Sequence, residues 1–279
     1  MGDVLTDGEL RDLADRLVSV RGVVGVMLGG SRATGAAGPD SDVDLGLYYR
    51  SPLDVDGLRG LARSVASVRG APGAAPELTE PGGWGPWVDG GGWMAIDGVP
   101  VDWIYRDLDR VRRSADSALA GDFQVHFQVG HPFGIPDFAY AGEVALGVVL
   151  ADPEAELASL QRRLDPYPPA LGRRIVDRLD EARFLLGGLG KPAARSDTTF
   201  VAGCLFRVVT LCAHAVHARA GHWVVNEKGI VESAGRLPTA PVAFTERAHG
   251  VLARLGRAPD TLLVAIEEAA ALVAETATG

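Results

Sequence analysis

The sequence predicts an α+β protein in two parts. An N-terminal domain carries a short mixed sheet with helices, and a C-terminal helical bundle follows it. Three observations support this. Up to about residue 120, short apolar runs closed by glycines alternate with stretches of helical periodicity. From about residue 143 the periodicity is helical almost throughout. The chain has 279 residues, of which 47% are hydrophobic and 23% charged. That is the make-up of a soluble globular protein, and a chain of this length buries a sizeable core without a metal or disulfide staple.

The elements follow in order. "TDGELRDLADRLVSV" (6–20) opens on Thr6 with Glu9 three residues on, a capping box, and Leu10, Leu13, Leu17 and Val18 then recur at helical spacing. "VVGVMLGG" (23–30) reads as a buried strand feeding a turn, and "SDVDLGLYY" (41–49) as the next strand. Residues 54–69 read as helix. Two strands flank Asp97-Gly98, an Asp-Gly hairpin signal, and a polar-faced helix follows over 106–119. Residues 121–142, with their glycines, prolines and aromatics, read as a connecting segment. The expected division is therefore an α/β domain over 1–120, the connection over 121–142 and a helical domain over 143–279.

Net charge is −9, which argues against broad binding to nucleic acid or to an anionic membrane. The first residues carry charge and lack the apolar stretch of a signal peptide, and no uninterrupted apolar run reaches the ~18 residues of a membrane span. A cytoplasmic location and no membrane partner are the expectation. Oligomeric state is left open by the sequence. Cys204 and Cys212, eight apart on a predicted helix, would lie about 12 Å apart, too far to bridge. They read as core residues in a reducing compartment.

The chemistry concentrates in "GGSRATGAAGPDSDVDLGL" (29–47). On a strand, Asp42 and Asp44 share a face, and two adjacent carboxylates repel unless a cation sits between them. A hard divalent ion with oxygen ligands meets that need, and Mg²⁺ commonly takes one or two carboxylates together with substrate phosphates. Alone, a D-x-D pair is more often a turn and cap. The loop before it alters that reading. Gly29-Gly30-Ser31 ends a buried strand and opens a helix, so its backbone N–H groups and hydroxyl suit an anion, and Arg32 adds a guanidinium fork. A third acid, Asp102, lies in the apolar run "GVPVDWIY". Three acids beside one phosphate loop suit two-metal phosphoryl-type transfer, in which one carboxylate also takes the proton of the attacking hydroxyl.

"GGSR", then "DVD" eleven residues after Ser31, then a lone Asp on a later strand, resembles the polymerase-β-type nucleotidyltransferase superfamily. Within it the chain is similar to bacterial antibiotic nucleotidyltransferases of the aminoglycoside adenylyltransferase kind, which join a minimal catalytic domain to a C-terminal helical bundle. The motif covers about residues 22–106. The resemblance implies that Asp42, Asp44 and Asp102 bind two Mg²⁺ ions and perform catalysis, and that Gly30, Ser31, Arg32 and Ser41 contact the nucleotide. It also implies a lysine, here Lys228 in "NEKGIVESAGRLP", that reaches the phosphates from the second domain. The donor it implies is ATP or another NTP. The acceptor it implies is a hydroxyl of a small molecule such as an aminoglycoside-like antibiotic.

Two alternatives stand beside that acceptor: a toxin-type enzyme modifying a protein or tRNA, and a noncatalytic nucleotide-binding sensor. Asp102 is the first choice as base and Glu143 the second. The tryptophans of "GGWGPWVDGGGW" (82–93) suit either a substrate wall or core packing. His131 suits a loop-fixing role better than a functional one. His214 and His217 on one helix suit packing or surface better than a metal pair.

Overall fold

The computed structural model describes residues 5–35, 38, 41–67, 71 and 74–278. The chain divides into two compact units. One is Met1–Asp116 with Gln124–Pro166, and the other is Ser117–Phe123 with Tyr167–Gly279. The division expected at 121–142 therefore falls later in the chain, and residues 143–166 belong with the first unit.

Helix α1 (Asp7–Val18) starts where Thr6 caps it. Glu9 N–H donates to Thr6 Oγ1 at 3.3 Å and Thr6 N–H to Glu9 Oε2 at 2.7 Å, the capping box read from the sequence. Strand β1 (Val23–Leu28) leads through a single turn of helix, α2 (Gly30–Ala33), to strand β2 (Val43–Tyr49). Strand β2 thus starts two residues later than expected, just after Asp42. Helix α3 (Val55–Val65) is capped by Asp54, whose Oδ1 accepts the Gly57 N–H at 2.9 Å. The helix expected over 54–69 ends at Val65, because Ala66 turns extended and Ser67 bridges to Ala95; residues 68 and 69 lie outside the described residues. Strands β3 (Gly91–Ile96) and β4 (Val99–Asp107) form the expected hairpin, with Asp97 and Gly98 at φ of 49° and 81° in its two-residue turn. Helix α4 (Leu108–Ala120) follows.

Residues 121–142 are more ordered than a connection. They hold a hairpin of β5 (Val125–Gln128) and β6 (His131–Pro136) and begin helix α5 (Phe138–Leu146). Strand β7 (Val148–Ala151) and helix α6 (Glu156–Arg163) complete the first unit.

The sheet runs β3-β4-β2-β1-β7. The β2–β4 pair is parallel and the others antiparallel, so the sheet is mixed, as predicted. One face is apolar. Val43, Leu45 and Leu47 of β2 and Val101, Trp103 and Tyr105 of β4 bury against Leu10, Leu13, Leu17 and Leu58 of α1 and α3. Side chains alternate along a strand, so Asp44, Gly46 and Tyr48 of β2 and Asp102, Ile104 and Arg106 of β4 take the other face.

The second unit is helical: α7 (Pro169–Asp177), α8 (Leu179–Gly187), α9 (Gly190–Ala194), α10 (Thr198–Arg219), α11 (Ile230–Gly235), α12 (Phe244–Ala253) and α13 (Pro259–Thr278). Helix α10 is its axis, with Val208, Leu211, Cys212 and Val216 buried. Among the described residues it is the helix long and apolar enough, by length and composition, to cross a membrane, a property the uninterrupted apolar runs did not reveal. Most of it is buried, as in the core helix of a bundle.

Candidate active site

The turn after β1 and the start of β2 are built around each other. Gly29 N–H donates to the Asp44 carbonyl at 2.8 Å, extending the β1–β2 ladder by one bond. Gly30 then turns at φ +61°, and a Cβ on it would lie 1.9 Å from Asp44 Oδ2 and 2.9 Å from Cγ. Only glycine fits: the backbone is left-handed and the Asp44 carboxylate occupies the side-chain position. Helix α2 has only four residues. An anion here would therefore meet backbone N–H groups and the Ser31 hydroxyl, with little help from a helix dipole.

Arg32 and Ser41 brace the entry to β2. Arg32 Nη2 donates to the Ser41 carbonyl at 3.0 Å, and Ser41 Oγ accepts the Gly38 N–H at 2.9 Å. Both residues are expected nucleotide contacts, and the bonds they make here lie immediately before Asp42 in the chain.

The third acid meets the second through sheet register. Asp102 is the partner of Asp44 across the parallel β2–β4 pair, and Trp93 is the partner of Asp102 across β3–β4. In-register partners share a face, so the two carboxylates are neighbours on adjacent strands about 4.8 Å apart. Further along the same face, Arg106 forms a bidentate pair with Glu143 of α5, Nε to Oε2 at 2.5 Å and Nη2 to Oε1 at 2.7 Å. Burial pulls the Arg106 pKa down, but the charge and hydrogen bonds of Glu143 outweigh it, so the net shift is upward and the guanidinium stays charged. Tyr48, on that face of β2, is pushed up by burial and then by the Glu143 charge. Glu143 is thus a structural counter-ion for a buried arginine.

A family model for a nucleotidyltransferase domain matches residues 9–68. The match spans α1, β1, the Gly29-Gly30-Ser31 turn, Asp42, Asp44 and α3. Residues 9–68 thus carry a nucleotidyltransferase domain. Enzymes of this class transfer a nucleoside monophosphate from a nucleoside triphosphate. Among curated proteins none matches the chain. Among solved structures, the chain is similar to a nucleotidyltransferase-like protein from Exiguobacterium sibiricum 255-15. The two share 10% identity at a TM-score of 0.45, over 96% of this chain and 74% of that one.

The donor set of this nucleotidyltransferase domain is all oxygen, which suits a hard divalent cation. Among the described residues, no three His, Cys, Asp or Glu side chains are gathered as a cage for a metal ion. A cation held by one or two carboxylates and completed by phosphate oxygens needs no such cage. Asp44 and Asp102, in register, with Asp42 two residues before Asp44, fit that arrangement.

The remaining sequence candidates fall on other elements. Lys228 belongs to the second unit, in an exposed turn where its N–H donates to Asn226 Oδ1 at 2.9 Å. His131 pairs with Gln128 in the β5–β6 hairpin. His214 and His217 are buried on α10, where burial lowers their pKa values to about 3 and about 4. They are packing residues, as the sequence suggested. Trp84 and Trp87 are half-buried, whereas Trp93, beside Asp102, is 58% exposed. The tryptophan spacing alone could not separate these environments, because the separation depends on which strand pairs with β4.

Proposed function

We propose that this protein transfers a nucleoside monophosphate, AMP from ATP, to a hydroxyl of a small cationic acceptor such as an aminoglycoside-like antibiotic, with Mg²⁺. The observation that supports this best is the common face of Gly30, Asp44 and Asp102, inside and just beyond a nucleotidyltransferase domain match. The Gly29–Ser31 turn receives the triphosphate, and Arg32 and Ser41 hold the approach to Asp42. Asp102 accepts the proton of the acceptor hydroxyl as its oxygen bonds to the α-phosphorus. The bond from that phosphorus to the bridging oxygen breaks, and pyrophosphate leaves on the opposite side. Mg²⁺, when bound by the carboxylates, supplies charge neutralisation and a template for the in-line displacement. A net charge of −9 favours a cationic acceptor.

The test is pyrophosphate release from labelled ATP with candidate acceptors, with and without Mg²⁺. Acceptor-dependent release that stops without Mg²⁺ is the expected result. Nucleotide binding with no release under any condition would identify a sensor instead. Lys228 is assigned to the triphosphate by resemblance. Lys228→Ala should lower turnover about a hundredfold, the size of losing one preorganised donor, whereas a solvated loop lysine would leave it within about twofold.

A further inference from the structure

The open sheet face holds a row of four residues. Trp93 faces Asp102, Asp102 faces Asp44, and the Gly29 N–H bonds to the Asp44 carbonyl. At about 4.8 Å per strand the row is about 14 Å long. Its phosphate end is the Gly29–Ser31 turn, and its far end is an indole on the edge strand.

That indole stacks on Trp84, with centroids 4.3 Å apart and planes at 16°. The Trp84 backbone is anchored: its amide N–H donates to the Asp89 carbonyl at 3.1 Å, and its carbonyl accepts from Gln128 Nε2 at 2.8 Å. Asp89 is buried at φ +69°, and its carboxylate accepts the Tyr49 hydroxyl at 2.8 Å and the Gly82 N–H at 3.0 Å. Gly91 makes room for the ring, since a Cβ there would lie 1.8 Å from the Trp103 carbonyl oxygen and 3.1 Å from Trp84 Cη2. Trp87 is engaged otherwise, stacked on His126 at 3.7 Å. An exposed, preorganised aromatic surface thus adjoins the proposed base, with Cβ atoms of directly opposite residues about 4.5–5.5 Å apart.

We infer that the Trp84–Trp93 pair is the acceptor platform, taking the apolar face of a saccharide or aminocyclitol ring and setting a ring hydroxyl over Asp102. This rests on the nucleotidyl-transfer reading above. In-line displacement puts the attacking oxygen on the side of the α-phosphorus away from pyrophosphate. With the phosphates at the Gly29–Ser31 end and the base at Asp102, the body of the acceptor lies over the next residue in the row. An indole face supplies apolar contact and attracts positive charge, and the neighbouring carboxylates favour amino substituents on the same ring.

The test uses the full chain, with kanamycin and maltose as probe acceptors, Mg–ATP as donor and a nonhydrolysable ATP analogue for binding. Trp93→Ala should raise the kanamycin KM tenfold or more, with kcat changed less than threefold and Mg–nucleotide affinity within twofold. Trp93→Phe should stay within threefold of wild type in KM. An unchanged KM in Trp93→Ala would overturn the platform. So would a tenfold loss of nucleotide affinity in that variant, which would give the indole to the nucleobase. A wild-type protein that binds Mg–nucleotide but turns over neither probe overturns the acceptor class proposed here. One that fails to bind Mg–nucleotide overturns the nucleotidyl-transfer reading itself.

Discussion

Gly30 and Asp44 form one device, because the carboxylate stands where a side chain on Gly30 would be. Gly30→Ala must tolerate a left-handed backbone, about 1–2 kcal/mol, and must also push Asp44 aside. We expect a lower melting temperature and at least a tenfold loss of Mg–nucleotide affinity, read by thermal melt and calorimetric titration. An unchanged affinity would separate the turn from the nucleotide site. Asp44→Asn keeps the shape and removes the charge. It should therefore fold normally and lose transfer a hundredfold or more, read by pyrophosphate release. This part of the site was legible in the sequence, since a glycine pair ending an apolar run and two acids in the next run each imply their own local geometry. Trp93 was not legible. Its neighbour is set by hairpin register and its exposure by the edge position of β3, and neither follows from a count of tryptophans.

At the scale of elements, β4 carries two different polar residues on one face. Asp102 lies at the open end, and Arg106 lies under α5, paired with Glu143. Both acids were candidates for the base, and the structure separates the experiments that test them. Glu143→Gln leaves a buried guanidinium without its counter-ion, a change of about 3–5 kcal/mol for a buried pair. It should lower stability markedly while the surviving folded protein keeps turnover within about tenfold. Asp102→Asn should do the reverse, with normal unfolding and transfer near background. Denaturant melts run beside pyrophosphate release distinguish the two, and a stable but inactive Glu143→Gln would return the base to α5. The hairpin over Asp97-Gly98 and the capped α1 were legible because their signals are local. Strand β7 was missed because four residues leading into a helix carry little pattern of their own, and its partner β1 lies more than a hundred residues earlier. The boundary moved for the same reason. Residues 143–166 read as helical sequence, but α5, β7 and α6 belong to the unit that holds the sheet.

At the scale of the whole molecule, the two units should respond differently to acid. The second is organised on α10, which buries His214 and His217 in the neutral form with pKa values near 3 and 4 against 6.5 for an open histidine. The unfolded chain therefore binds up to two more protons than the folded chain between about pH 6.5 and pH 4. Stability rises with pH across that window, is complete above about 6.5, and falls on acidification by up to about 1.4 kcal/mol per pH unit for each histidine. Paired carboxylates act in the same direction but later. The pKa of Glu156 is held down by Arg50 and Arg112, and that of Glu181 by Arg207 and Arg178, where the pairs outweigh a burial effect of the opposite sign. Their contribution is full above 4.5 and is lost only as pH falls below it. Urea unfolding at pH 7, 6 and 5 should thus show the second unit weakening before the Glu156 and Glu181 pairs are lost. His217→Gln keeps a polar partner for Ser233, whose Oγ lies 3.0 Å from His217 Nε2, and removes one titrating site. It should halve the dependence on pH between 6.5 and 4.5. If the slope is the same in the variant, His217 already carries its proton in the folded state and the neutral core of α10 is wrongly assigned.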